Sequence, residues 1–377
     1  MELIAENSTY LLNFIGHACA NADSRKTNIQ AYDFVYISNK QGILSISGSN
    51  GSQTFTRENQ SEYIQAKGDG ELCVEASKFF QIVRALPKGQ PVKLKGLKDK
   101  DRAVISSGRS KLQLKIIEPT TYPQLEVLKN QTGSFKVAAK TFVQLVNDAA
   151  YAAGRTDARA YLNSVYLKAK NNTLYGVGTD GHRLSAIKHS IEGDGNADLD
   201  LVIPINAALV FARLNESAEF LEVSFNGSRA QFNWGGLIYS TTLVDGKYPD
   251  VMKLLPTRCD SKLVANKENL ADSLKRMLVL VSDDKHPKVQ MSFCDNLIKF
   301  KALSNSDEDL GLDEVAGASA GNAIDFVYGL NPRYLLDALN HIQGENVELL
   351  FTDQLSAFCV GATDCKNTRA LIMPVRI

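Results

Sequence analysis

The chain has 377 residues, 44 % of them hydrophobic, and its 42 basic residues balance its 42 acidic residues. Because an average domain has about 150 residues, this length predicts two to three domains, each able to bury a core. The balanced charge argues against a basic tail that wraps nucleic acid, and no apolar run approaches the roughly 18 residues of a membrane-spanning helix.

The cysteines and the N-terminus both indicate a cytoplasmic protein. The 6 cysteines form neither a C-x-x-C pair nor an even disulfide framework, so we expect buried thiols in a reducing compartment. Glu2 and Glu6 precede the first apolar stretch, and their charge is the wrong sign for a secretory signal peptide.

Apolar residues at helical spacing recur along the chain and predict amphipathic helices, in chain order around Leu12, Leu86, Phe142, Leu214, Leu270 and Leu339. Equivalent helices lie about 130 residues apart, an interval too long for a solenoid repeat and similar to the size of a domain. The dipeptides Tyr122-Pro123 and Tyr248-Pro249 keep nearly the same interval. The sequence therefore predicts three similar units in tandem.

A short alternating stretch follows the second helix of each unit: Val92-Lys93-Leu94, Leu221-Glu222-Val223 and Val347-Glu348-Leu349. Alternation of apolar and polar residues is typical of half-buried strands. Each unit is therefore expected to be α+β, with a sheet on one side of two helices. We place the three domains at residues 1–128, 129–257 and 258–377.

The polar faces of the predicted helices carry basic residues, namely Lys78, Arg84, Arg213, Lys275, Arg276 and Arg333. One interpretation is an ordinary solvated helix face. The other is a common positive surface, and scattered lysines and arginines without stacking aromatic residues suit phosphate contact more than base recognition.

The best apparent catalytic motif is the G-x-G-x-x-G sequence from Gly176 to Gly181. A dinucleotide site requires a helix after this motif, whereas residues 182–188 alternate and predict a strand. Nucleotide binding therefore stays a minor alternative. The 5 histidines form no metal-binding spacing, and no nucleophile motif accompanies Asp180 and His182. We expect no catalytic site, no metal and no cofactor.

Five segments together resemble one known family: Tyr161-Leu162-Asn163, Thr179-Asp180-Gly181-His182-Arg183-Leu184, residues 243–250, residues 373–377 and Ser107-Gly108-Arg109-Ser110. In this order, on a threefold repeat of this length, they resemble the bacterial DNA polymerase sliding clamp, the beta subunit of the replicative polymerase. The resemblance covers essentially the whole chain.

This resemblance implies a DNA clamp fold and a ring of two subunits joined head to tail. Helices would line the hole through which duplex DNA passes, and antiparallel sheets would lie outside. Such a clamp is not an enzyme. It binds DNA without sequence preference, tethers a DNA polymerase and other proteins through their short clamp-binding peptides, and is opened by a separate clamp loader.

The resemblance also assigns residues to three surfaces. DNA contact is expected from Arg25, Lys78, Arg84, Arg155, Arg159, Tyr161, Arg213 and Lys288. A partner-peptide pocket is expected from Leu162, Thr179, Gly181, His182, Arg183, Leu184, Pro249, Lys253, Leu254, Leu371, Met373, Pro374, Val375 and Arg376. The dimer interface is expected from Arg109, Lys111, Leu112, Leu114, Leu280, Val281, Asp307, Glu308 and Asp309.

Some features depart from the family pattern. The chain is neutral, Ala160 stands where the family often has an aromatic residue, and Lys253 stands where arginine is more common. These differences leave a divergent or accessory clamp open as an alternative. A nucleotide-using enzyme and a three-domain scaffold that does not bind DNA are the other readings.

Overall fold

The computed structural model describes residues 1–25, 27–97, 101–123, 128–191, 199–214, 218–256, 259–282, 285–303, 310–322 and 324–376. The chain divides into two compact units. The first unit comprises Met1–Ala139 and Asn215–Leu243, and the second comprises Lys140–Leu214 and Val244–Ile377.

The described residues contain two α-helices in each sequence repeat: α1 (Ser8–Asn21), α2 (Ala76–Ala85), α3 (Ala139–Ala150), α4 (Ile205–Phe211), α5 (Lys267–Val281) and α6 (Pro332–His341). Three helices begin with an asparagine cap that satisfies free backbone N–H groups. Asn7 accepts from the backbone N–H of Thr9 and Tyr10, while Asn266 and Asn331 cap α5 and α6. The predicted helices are confirmed, although α2 ends just before Leu86 and α4 ends before Leu214.

The strands also repeat. The first repeat has β1 (Glu2–Ala5), β2 (Phe34–Lys40), β3 (Ile43–Ser49), β4 (Gln53–Glu58), β5 (Ile64–Lys67), β6 (Gly70–Glu75), β7 (Val92–Gly96), β8 (Arg102–Ser107) and β9 (Ser110–Ile117). The second has β10 (Gly133–Ala138), β11 (Ser164–Lys170), β12 (Thr173–Thr179), β13 (Arg183–Ser190), β14 (Leu199–Pro204), β15 (Phe220–Phe225), β16 (Arg229–Asn233) and β17 (Leu237–Thr242). The third has β18 (Ser261–Asn266), β19 (Val289–Cys294), β20 (Leu297–Leu303), β21 (Leu310–Gly321), β22 (Tyr328–Leu330), β23 (Asn346–Phe351), β24 (Phe358–Ala362) and β25 (Thr368–Ile372).

Each unit holds one large antiparallel sheet that runs from one sequence repeat into the next. The sheet of the first unit has the order β10-β15-β16-β17-β4-β3-β2-β6-β9-β8-β7-β1-β5, and that of the second has β14-β11-β12-β13-β25-β24-β23-β18-β21-β20-β19-β22. The pairing of β17 with β4 is called here the first joint, and the pairing of β13 with β25 the second joint. Helices on one side of these sheets confirm the α+β prediction.

The helices bury their apolar faces against the sheets. Leu11, Phe14 and Ile15 of α1 pack in one core, and Leu270 and Leu274 of α5 pack in another. Each such side chain contributes about 1.5–3 kcal/mol when fully buried. Among the described residues no helix is long and apolar enough to cross a membrane.

The glycines of the G-x-G-x-x-G sequence serve strand packing. Gly176 and Gly178 lie in β12, and β13 follows the turn at Gly181 in place of a helix. A β carbon on Gly178 would lie 2.1 Å from the Ala149 carbonyl oxygen, so the absence of a side chain lets β12 approach α3. The motif therefore lacks the helix that a pyrophosphate site requires. Gly48 allows the same close approach of β3 to α1, because a β carbon on Gly48 would lie 1.9 Å from the Ala18 carbonyl oxygen.

We expect Gly178→Ala to lower the free energy of unfolding by about 1–3 kcal/mol, because the added methyl group must displace backbone. Thermal and urea unfolding measure the change. Gly227→Ala is the matched control, because nothing lies within 4 Å of its β carbon. Equal stability of the two variants would contradict the close approach.

Candidate functional site

The second joint fastens the C-terminal segment to the turn between β12 and β13. Leu371 lies opposite Leu184 in the ladder, and Ile372 lies opposite Arg183. The Met373 N–H donates to the His182 carbonyl oxygen at 2.9 Å, which extends the pairing past β25. The structure thus brings together two predicted pocket segments that are far apart in the sequence.

An apolar cluster forms the floor beside this joint. Its buried members are Tyr166, Val177, Leu184, Ala186, Val202, Tyr248, Val251, Cys359 and Leu371. Burial raises the pKa of the Cys359 thiol to about 12, so the thiol stays protonated at neutral pH. The sequence missed Val177, Ala186 and Cys359, because only the strand register shows that they share this face.

Some of the predicted pocket residues have buried side chains that support the fold, and others have side chains exposed to solvent. Leu162, Leu184 and Leu371 are buried, whereas Leu254 and Met373 are 64 % and 45 % exposed. Exposed apolar side chains above an apolar floor provide area that a ligand can cover. Pro249, Lys253 and Arg376 are exposed near them in the sequence, and Pro374 and Val375 are half-buried.

The turn at Gly181 belongs to the predicted peptide pocket. Gly181 has φ of +87°, a conformation that favours glycine. The Thr179 hydroxyl donates to the Arg183 carbonyl oxygen at 2.6 Å and accepts from the Gly181 N–H at 3.1 Å. A β carbon at Gly181 would lie 3.6 Å from Arg159 Nη2 and 3.9 Å from Leu162 Cδ1. The structure therefore places Arg159, an expected DNA contact, beside the pocket.

Arg183 holds the second and third repeats together. Its Nε lies 3.0 Å from Asp180 Oδ2, and its Nη1 lies 2.5 Å from Asp337 Oδ2 on α6. The guanidinium also lies 4.7 Å from the ring centroid of Tyr334. These contacts engage the donors that the sequence interpretation had assigned to the pocket rim. His182 remains exposed at that rim.

A second polar contact joins α3 to α6. His341 Nδ1 lies 2.9 Å from Asp148 Oδ1, and the His341 ring stacks on Tyr151 with centroids 4.4 Å apart. Asp148 and Tyr151 lie at the end of α3 and just after it, whereas His341 ends α6, 193 residues after Asp148, so no local motif could have indicated this contact.

The two joints have the same register but differ in the side chains that they present. At the second joint, Leu184 lies opposite the last residue of β12 on one side and opposite Leu371 on the other. At the first joint, Thr54 lies opposite the last residue of β3 on one side and opposite Ser240 on the other. On the sheet face turned away from the helices, the second joint has Val177, Leu184, Ala186, Leu350, Cys359 and Leu371. The equivalent positions of the first joint are Ser47, Thr54, Thr56, Ser224, Gln231 and Ser240.

Hydroxyl groups of the first joint bond to one another. The side chains of Ser47 and Thr56 lie 2.9 Å apart, and those of Ser49 and Thr54 lie 3.0 Å apart. The first joint also has apolar Ile238 on this face, opposite Thr56, and the second joint has Arg369 at the equivalent place, opposite Ala186. The second joint is therefore the more apolar of the two, which favours it as the place for an apolar ligand.

Two of the expected DNA contacts have the same local structure. Arg25 forms a paired hydrogen bond with Asp23, at 2.9 Å from both Nε and Nη2. Arg159 does the same with Asp157, at 3.0 and 3.1 Å. Hydrogen bonds from Arg159 lower the pKa of Asp157 to about 2, so the carboxylate is ionised at neutral pH. Each arginine is exposed but partly neutralised.

The other expected DNA contacts differ in accessibility. Arg84, Arg155 and Arg213 are exposed, and exposed Lys78 lies 2.9 Å from Glu75. Lys288 is half-buried. Tyr161 packs against the apolar floor, with its ring centroid 6.1 Å from that of Tyr248.

The structure corrects part of the expected dimer interface. Leu114 is 2 % exposed and Val281 is 0 % exposed, so both belong to cores and cannot offer side chains to a partner. Arg109, Lys111 and Leu112 are exposed, while Leu280 is half-buried. Asp307, Glu308 and Asp309 lie outside the described residues.

Besides the strands that end the two sheets, β9 and β21 each have an open edge over part of their length in the described part of the chain. Residues 110–115 of β9 pair only with β8, and residues 310–316 of β21 pair only with β20. Exposed apolar side chains lie at or near these edges: Leu112 at 41 %, Val279 at 75 %, Leu310 at 58 % and Leu312 at 71 %. Open apolar edges aggregate unless a partner covers them.

The sequence matches known proteins over most of its length, and the fold matches over the whole chain. Family models of the DNA polymerase III beta subunit match residues 1–126 as its N-terminal domain, 136–250 as its central domain and 252–376 as its C-terminal domain. The beta sliding clamp of Escherichia coli strain K12 is 27 % identical over 339 residues, 89 % of each chain. That of Salmonella typhimurium is 28 % identical over 311 residues, 82 % of each chain. The crystal structure of the DNA polymerase III subunit beta from Pseudomonas aeruginosa has a TM-score of 0.91, 23 % identity and full coverage of both chains.

Proposed function

The chain belongs to the DNA polymerase III beta subunit family, and from this premise we propose that two copies close a ring around duplex DNA and tether a polymerase to it. A sliding clamp of this kind has no catalytic step. The observation that carries the ring is the repeated joint, because β9 and β21 are the equivalents of its two strands and lack such a partner within the described chain. The proposed domain boundaries are residues 1–128, 129–257 and 258–377, and the proposed location is the cytoplasm.

Ring closure follows from the order of strands in the joints. Each joint pairs the third strand after the first helix of one repeat with the last strand of the next repeat, β4 with β17 and β13 with β25. The third repeat supplies β21 as the equivalent third strand, and the first repeat supplies β9 as the remaining last strand. A third joint therefore needs β9 from another subunit.

The register of this third joint follows from the other two. Leu310 lies opposite the last residue of β20. In the same way, Leu184 lies opposite the last residue of β12 and Thr54 lies opposite the last residue of β3. Gln113 lies across β8 from Lys95, as Leu371 lies across β24 from Leu350. Leu310 should therefore face the partner's Gln113, and Gly311 should face the partner's Leu112.

The proposed DNA contact is electrostatic and distributed over several residues. Because phosphate contacts release counterions, Arg25→Ala should reduce the salt slope of DNA binding by about one. Titration of labelled primed DNA at several salt concentrations measures this slope. Arg159→Ala separates two roles: weaker binding of a polymerase tail peptide with an unchanged DNA slope would assign Arg159 to the pocket alone.

Removal of the carboxylates that pair with Arg25 and Arg159 is expected to have the opposite effect on DNA binding. Asp23→Asn removes the charge that partly neutralises Arg25, so DNA affinity should rise and the salt slope should not fall. Asp157→Asn tests the same idea at Arg159. Acidification cannot replace these variants, because the lowered pKa of Asp157 keeps its carboxylate ionised until the pH falls towards about 2. An affinity unchanged in both variants would show that neither pair faces DNA.

The proposed partner ligand is a short extended peptide with two or three large apolar residues. Its binding place is the pocket over the apolar floor at the second joint, between the Gly181 turn and the segment from Leu371 to Arg376. Methionine adapts to varied apolar ligands, which suits Met373 to several partner proteins.

Topological linkage tests the proposed function as a whole. The protein is loaded onto nicked circular DNA by a clamp loader and ATP, and the DNA is then linearised. A ring should stay on the circle and slide off the linear ends, because weak phosphate attraction alone does not retain it. Equal retention on both DNAs would exclude a sliding ring, and nucleotide binding by the isolated protein would favour the enzyme alternative.

A further inference from the structure

The third joint has a surface whose chemistry differs from that of the other two. This inference rests on the proposed ring closure. On the sheet face turned away from the helices, the equivalent positions are Lys301, Leu310 and Leu312 of one subunit and the partner's Lys95, Val104 and Gln113. These residues are called here the junction strip.

The junction strip is partly apolar and partly basic. Leu310 and Leu312 occupy the places of Leu184 and Ala186 in the peptide pocket, and Lys301 occupies the place of Val177. The strip therefore keeps an apolar centre but has Lys301 and Lys95 where the second joint has Val177 and Leu350. The first joint has Ser47 and Ser224 at these two positions.

Strand pairing alone leaves the two leucines accessible. Leu310 and Leu312 are 58 % and 71 % exposed in the single chain. In the derived register their neighbours on the paired strand and the same face are the partner's Gln113 and the partner's Lys111. These side chains lie beside the leucines, so the outer surface of each leucine still meets water, which is unfavourable for apolar area.

We propose that the junction strip is a second docking surface, for an extended peptide that combines leucine-like and acidic residues. The apolar centre requires apolar side chains from the ligand, and the lysines favour carboxylates between them by charge complementarity. An extended peptide fits because alternate side chains of a strand face one surface. DNA phosphates match the lysines but not the leucines.

The test uses the full-length dimer with the proposed peptide pocket blocked by Leu254→Asp and Met373→Asp. The probe is a fluorescein-labelled peptide that alternates leucine with aspartate, followed by anisotropy. We expect saturable binding of one peptide per subunit that weakens as salt rises. Leu310→Ser with Leu312→Ser should reduce affinity at least about tenfold, because the two leucines provide the apolar area that the ligand would bury. Ile43→Ser, 59 % exposed on β3, is the matched control and should bind normally.

Light scattering measures the oligomeric state of every sample, so a loss of probe binding can be distinguished from a loss of the dimer. A dimer that does not bind the probe, or that binds it equally after the serine substitutions, overturns the strip while the ring stands. Serine variants that become monomeric overturn it as well, because the leucines would then belong to the closing contact. A parent protein that is monomeric overturns ring closure, and the strip with it.

Discussion

Leu112→Asp combined with Val279→Asp is expected to convert the dimer into monomers at micromolar concentration. Both side chains are exposed in the single chain, at 41 % and 75 %, so the substitutions should leave each subunit folded. The derived register places the partner's Leu112 opposite Gly311, on the sheet face packed by α5. Two carboxylates buried in this contact without a cation would cost several kcal/mol.

The choice of Val279 over Leu280 follows from packing. A β carbon on Gly311 would lie 2.2 Å from Leu280 Cδ1, so Leu280 fills space beneath β21 and its replacement would also destabilise the third repeat. Sedimentation equilibrium measures the dimer, and circular dichroism checks the fold. Ile43→Asp is the control and should remain dimeric. A folded double variant that stays dimeric would rule out closure through β9 and β21.

Leu254→Asp combined with Met373→Asp is expected to weaken binding of a polymerase tail peptide at least about 100-fold, equivalent to roughly 2.7 kcal/mol. These side chains are accessible, whereas Leu184 and Leu371 below them are buried in the joint. The substitutions therefore remove ligand contacts and leave the floor intact. Isothermal titration with the peptide measures the loss.

This pair of substitutions is a cleaner test than deletion of the C-terminal residues. The Val375 N–H donates to the Gly329 carbonyl oxygen at 2.9 Å, and the Met373 N–H donates to His182, so deletion also removes backbone hydrogen bonds. Ile29→Asp is the control, because Ile29 is 45 % exposed like Met373 but lies in the first repeat. Normal peptide affinity in the double variant would show that the ligand binds elsewhere.

Local periodicity was sufficient to predict the helices, the alternating strands and the threefold repeat. Helical spacing and strand alternation depend on residues that are close in sequence, so patterns around Phe142 and Val92 carry this information directly. The family resemblance then depended on segments such as Thr179 to Leu184, whose turn requires the positive φ of Gly181. These features are local, and the structure confirms them.

Accessibility could not be read from the same patterns. Leu112 and Leu114 lie on the same face of β9 and both pair with β8, yet Leu112 is 41 % exposed, whereas Leu114 packs in the core of the first repeat and is 2 % exposed. Arg183 is basic and lies in a recognisable motif, but Asp337 from another repeat engages it. Burial and ion pairing depend on which distant strand or helix lies alongside.

The difference between the joints is the clearest case of what only the tertiary structure decided. Sequence repetition predicts equivalent joints, and their backbone register is indeed the same. The faces differ because each combines side chains from several sequence-distant strands, such as Leu184, Cys359 and Leu371 at the second joint and Thr54, Gln231 and Ser240 at the first. No single segment carries that pattern, since it exists only when pairing places those strands side by side.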